Sequence, residues 1–165
     1  HTVVAWEKVA GIFEKFTKKG SKVVIKEKLD IRLILLPLPY RLHSFSASKM
    51  VTFFQQNYPN LALNFIMLQF NTMEQYNGDK GKSTPINEIR KQIEAAAASV
   101  IGFNDPKASQ IWTDADNENL TRQNWKLATY RRVSGTPVFL MNGVRVFLPL
   151  NVDEMYNFIA QFIPN

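Results

Sequence analysis

Thiol chemistry has no residue to work through in this chain. None of its 165 residues is a cysteine, which removes disulfide exchange, thiolate metal sites and cysteine nucleophiles. The other chemistry-bearing types are sparse. Histidine occurs at His1 and His43 alone, far from the paired helical spacing that holds zinc, and a solvated or hydrogen-bonded imidazole is the expected role of His43. Asp114, Asp116 and Glu118 begin like a calcium loop, but Asn119 stands where that loop needs glycine and Trp125 where it needs a bidentate glutamate. No Gly-x-Ser-x-Gly elbow, phosphate-cradling Gly-rich loop or dinucleotide fingerprint occurs. These residues are therefore expected to supply no catalytic group, metal site or cofactor site. Asn119-Leu120-Thr121 is an N-glycosylation sequon, which makes Asn119 the candidate modification site of a chain in the secretory pathway or outside the cell.

Charge and composition narrow the partners. The chain carries a net charge of +6, with lysines 15, 18, 19, 22, 26 and 28 crowding its first part. Such a cluster reads as the solvated face and last turn of a helix, where cations complement the dipole. With no helix-turn-helix, zinc finger or aromatic RNA-binding motif beside it, no nucleic-acid partner is expected. Hydrophobic residues at 45% and charged residues at 21% are globular proportions. The length suits one domain over 1–165 with its own core. The longest apolar run, Leu33 to Tyr40, is broken by Pro37 and Pro39 and falls short of the roughly 18 to 20 residues of a membrane span. A chain that begins at His1 and not at Met reads as a processed or partial product whose leader, if any, is gone.

The elements that must position these residues follow from periodicity. Trp6, Val9, Phe13 and Phe16 recur at helical spacing over Thr2–Thr17, with Gly20 as the stop. Alternation of Leu29, Ile31, Leu33 and Leu35 with Lys28, Asp30 and Arg32 predicts a strand over Val23–Leu35, ended by the two prolines. Helices are expected over Ser44–Asn57 and Leu61–Tyr76, then a polar loop over Asn77–Lys82. Thr84 reads as N-cap, with Pro85 first in a helix whose apolar stripe is Ile86, Ile89, Ile93, Ala97 and Val100 and which stops at Gly102. A short helix begins at Asp105-Pro106, and a longer one runs from about Asn117 to Arg132, broken by Ser134-Gly135. Val138–Met141 and Val144–Leu148 flank Asn142-Gly143, a two-residue hairpin turn. An Asn151-capped helix carrying Met155, Phe158, Ile159 and Phe162 closes the chain. The order is that of an α/β layer protein with a helical insertion, about 44–132, between its strands.

The run Ser134-Gly135-Thr136-Pro137-Val138-Phe139-Leu140-Met141-Asn142-Gly143 resembles the Gly-Thr-cisPro-strand-Asn-Gly segment of thioredoxin-fold proteins. Leu35-Leu36-Pro37-Leu38-Pro39-Tyr40 is similar to the strand-to-helix junction of eukaryotic DsbA-like members, which also carry inserted helices before the proline segment. The resemblance spans nearly the whole chain. It implies a thioredoxin-like fold in which Pro137 is cis and the backbone of Thr136 pairs with an extended substrate. It also implies that His1 and Thr2 fall at the third and fourth positions of the family's Cys-Pro-x-x motif, so that Thr2 replaces the resolving cysteine, while His43 approaches the same ancestral active-site face.

The family's first strand would then precede His1 and be absent from the chain. A buried sheet left open there exposes unpaired backbone groups, each costing roughly 1 to 3 kcal/mol if unsatisfied. A protein partner, or another segment that donates a strand, is the expected remedy, within an oligomer or a larger assembly. The expected function is that of a redox-inactive DsbA-like domain used in binding or as a structural subunit. A cysteine upstream of His1 would instead imply a thiol-disulfide oxidoreductase.

Overall fold

The computed structural model describes residues 33–39, 41–77, 79–147 and 151–161. Contacts divide the chain into two compact units, one of residues 34–134 and one that joins 135–165 to 1–33. The expected helix at Thr2–Thr17, most of the expected strand at Val23–Leu35, and the candidate residues His1 and Thr2 lie outside the described residues. The described end of that strand is a correction: residues 33–38 carry no regular structure. Pro37 and Pro39 remove two backbone donors and restrict the residues before them, which works against a ladder there.

The unit of residues 34–134 is built from helices α1 (Ser44–Asn57), α2 (Ala62–Asn77), α3 (Asp79–Ser83), α4 (Ile86–Ile101), α5 (Pro106–Gln110) and α6 (Ala115–Tyr130). Helix α1 is its hub and packs against α2, α4 and α6. Seven consecutive residues of α1, Ser48 to Phe54, are buried, so this helix is enclosed on all sides where a surface helix would bury only a stripe. Phe54 stacks on Phe65 of α2 with ring centroids 4.4 Å apart and planes within 9°. Met50, Ile89, Ile93 and Ala97 complete the innermost layer, all fully buried. Of the four alanines at 95–98 only Ala97 is buried.

Local caps set the helix limits. Asp105 accepts from the Lys107 N–H at the start of α5, and Asp114 accepts from Asp116 and Asn117, which starts α6 at Ala115, two residues before the expected boundary. Helix α4 starts at Ile86 with Pro85 in the cap position, one residue later than Thr84 as cap would place it. The polar run expected to be a loop at Asn77–Lys82 instead contributes the turn of helix α3. There α2 packs against α3, and His43 bonds the carbonyl of buried Gly81; these tertiary contacts override weak local propensity.

Two helices stop by the same left-handed geometry with different residues. Gly102 closes α4 at φ 92°, its N–H bonded to Ala98 O at 2.8 Å. Helix α6 ends in a Schellman pair, Arg132 N–H to Thr129 O and Val133 N–H to Ala128 O, with Arg132 at φ 58°. The break therefore precedes Ser134-Gly135. Nothing lies within 4 Å of a Cβ added at Gly102, so Gly102→Ala is expected to cost the backbone strain alone, about 1 kcal/mol. Arg132→Gly is expected to do the opposite and stabilise by up to about 1 kcal/mol, less the entropy glycine adds to the unfolded chain. Urea midpoints should move in opposite directions at unchanged slope.

The other unit contributes strands β1 (Phe139–Met141) and β2 (Val144–Val146) and helix α7 (Val152–Ala160). The strands pair antiparallel, with Phe139 opposite Val146, Leu140 opposite Arg145 and Met141 opposite Val144. Asn142 at φ 51° and Gly143 at φ 84° supply the two positive angles that a tight hairpin turn of this twist demands. The Asn151 side chain accepts from Asp153 and Glu154 N–H to cap α7, and Met155 is buried beneath it. Among the described residues the architecture is thus helices with a small two-stranded antiparallel sheet, compatible with the α/β class.

Candidate functional site

The residues singled out by the sequence fall at distinct places. Thr136 and Pro137 form the loop that enters β1, and the peptide bond between them is cis. Both are half-buried. Among the described residues neither the N–H nor the C=O of Thr136 has a hydrogen-bond partner. Such groups are obligatory bonders, and a half-buried pair of them beside a strand offers a docking edge for an extended chain. The hairpin beyond turns Leu140 and Arg145 outward, and the Arg145 guanidinium lies 5.8 Å from the ring centre of the exposed Phe147.

His43 belongs to the unit of residues 34–134. It is buried, and Nε2 lies 3.0 Å from Gly81 O; facing a carbonyl, Nε2 is the donor of that bond. Among the described residues no partner meets Nδ1. The imidazole ties the start of α1 to α3, the hydrogen-bonded role expected of it. Asn119 is exposed on α6. Its sequon partner Thr121 is 1% exposed, with Oγ1 2.9 Å from both Thr52 Oγ1 and Asn117 O. The folded helix thus presents the asparagine and hides the threonine, so modification would have to precede folding.

Sequence reasoning missed a polar seam between α1 and α6. Thr52 Oγ1 also reaches Ser48 O at 3.0 Å, so two hydroxyl protons serve three contacts. Beside them Lys49, 5% exposed, donates through Nζ to Trp112 O and to Glu118, each at 3.3 Å. Arg122 clamps the other Glu118 oxygen through Nε and an η nitrogen at 3.0 and 2.7 Å. These hydrogen bonds, Arg122 first and Lys49 second, hold the Glu118 carboxyl below its ordinary range. A lysine so committed is a strut between helices and makes a poor general base. Its only signal in the sequence was a cation amid the apolar positions of α1.

A cleft of about 270 Å³ lies beside α4 and α5, lined by Glu94, Ala98, Ile101, Asn104, Asp105 and Ser109 among others. Its carboxylates are pinned by neutral donors: Trp112 Nε1 donates to Glu94, and Tyr58 OH donates to Asp105 at 2.7 Å. The Tyr58 bond lowers Asp105 and raises the phenol in return. An ionised Asp105 of this kind cannot serve as a general acid near neutral pH. Among the described residues no group of three or more metal-ligating side chains assembles, and no helix is long and apolar enough to cross a membrane.

No protein-family model matches the chain, and no curated protein or solved structure matches it.

Proposed function

We propose that this chain is a redox-inactive domain of the DsbA-like thioredoxin type that binds extended polypeptide, alone or within an assembly. One observation carries the reading: the unpartnered Thr136 backbone at the entrance to a hairpin and capped helix whose order matches the resemblance. The helices between residues 44 and 132 that precede the proline segment fit the same type. With no cysteine among the 165 residues, the face that would exchange disulfides in that family is left with recognition alone. The expected setting is the secretory pathway or the extracellular space, with Asn119 as the site of modification.

Two assays on the same material test it. A fluorescein-labelled, cysteine-free unfolded polypeptide should bind saturably, read by anisotropy, while insulin reduction stays at the uncatalysed rate. Catalysed reduction by these residues would refute the redox-inactive half, and the absence of any saturable binding would refute the other.

A further inference from the structure

We infer that the extended segment taken at Thr136 is selected for an acidic side chain, which Arg145 receives, with apolar side chains two residues to either side that rest on Val138 and Leu140. The inference rests on the peptide-binding reading and names the sequence that site prefers.

Strand register sorts the hairpin into two faces. Leu140 stands opposite Arg145, and alternation continues their face to Val138 and Phe147, with Phe139, Met141, Val144 and Val146 on the other. Leu140 is 36% exposed, Phe147 is 88% exposed, and Arg145 is exposed as well. On the other face only Val144 is exposed. The solvated face of an antiparallel pair ordinarily alternates to polar residues. Here that face holds three apolar side chains around one arginine, a mixture that marks contact surfaces and not solvated ones.

Arg145 names the chemistry of the partner. Among the described residues its guanidinium makes no ion pair or hydrogen bond, and it lies instead 5.8 Å from the centre of the Phe147 ring. A ring contact of this kind steadies the guanidinium without engaging its N–H donors, so the fork that matches a carboxylate stays open. Reach fits too. Among the described residues β1 pairs with β2 alone, so a chain that pairs with Thr136 and runs on beside β1 lies two strand spacings, about 10 Å, from β2. A glutamate and an arginine side chain span that distance between them. Side chains two residues away on the same face of the bound segment meet Val138 and Leu140 across one spacing.

Anisotropy titrations test this with three cysteine-free, fluorescein-labelled peptides built around Leu-Ser-Glu-Ser-Leu, Leu-Ser-Gln-Ser-Leu or Leu-Ser-Lys-Ser-Leu. The glutamate peptide is expected to bind about tenfold more tightly than the lysine peptide at low salt, with glutamine between them and the gap closing as salt rises. Arg145→Gln should abolish the difference and Arg145→Glu should reverse it; both changes fall on an exposed side chain, and far-UV circular dichroism checks that the variants are folded. Lys91→Gln removes the same charge from α4 and should leave the difference intact, which separates Arg145 from the net charge of +6. Equal binding of the three peptides would overturn the inference and leave the peptide-binding reading in place, as would a preference that survives Arg145→Gln or falls equally in Lys91→Gln. Binding of the unfolded polypeptide but of none of the three peptides would overturn it likewise, and failure of both kinds of probe would overturn both readings.

Discussion

Phe54→Ala is expected to remove about 3–5 kcal/mol of stability from the unit of residues 34–134. Phe54 has no solvent exposure. Its ring stacks on Phe65 and meets Phe53 and Tyr58 with centroids 6.0 and 5.9 Å away. Alanine there gives up the transfer energy of the ring and leaves a void bounded by two helices that cannot collapse onto it, because α1 is held on other sides by α4 and α6. Against a typical domain stability of about 5–15 kcal/mol, the loss is a large fraction of the whole. Urea unfolding followed by far-UV circular dichroism reads it, and a change under about 1 kcal/mol would mean that the centre of this unit lies elsewhere.

Lys49→Met is the second large effect, expected at about 1–3 kcal/mol. Methionine keeps the length of the buried stem but removes the ammonium, leaving Trp112 O without its donor and Glu118 with Arg122 alone. Loss of a buried donor costs more than the bond was worth, since the carbonyl cannot recover water. The same site sets a pH signature. Glu118 has a folded value depressed below its ordinary 4.5, so its contribution is fully present above that value and disappears as pH falls through the lowered one. Asp105 adds to the same acid limb through Tyr58. Glu118→Gln should flatten part of that limb, and Lys49→Met should flatten a smaller part, because Arg122 is the larger cause. The Glu118 side chain is 36% exposed, so water screens the pair and the change in slope is modest. A Lys49→Met variant as stable as the parent would show that the seam contributes nothing net.

The sequence carried the helices well because their signals were local. Ser44–Asn57 was legible to the residue from its apolar spacing. Gly102, Asp105 and Asn151 declared their ends by cap chemistry, and Asn142-Gly143 declared the hairpin. Where tertiary contact decided the outcome, local reading failed. Residues 79–83 are polar and contain glycine, yet form a helix against α2 under a bond from His43. Arg132 ends α6 in a conformation that favours glycine, whereas the local signal for a stop is Ser134-Gly135 beyond it. Lys49, Thr52 and Thr121 form the buried seam from positions 69 residues apart, a pairing that no window along the chain can reveal. Of the candidate site, Thr136 and Pro137 were legible as a motif, but the unpartnered Thr136 backbone depends on the path of the surrounding chain.

The central claim is that recognition occurs at the Thr136 backbone. Titrating isotope-labelled chain with a carboxymethylated, unfolded polypeptide and following amide resonances tests it most directly. Saturable shifts centred on Ser134 to Val138, with the α2 and α4 amides unmoved, are the expected result. Saturable shifts confined to the helices of residues 44–130, with Thr136 silent, would contradict the account.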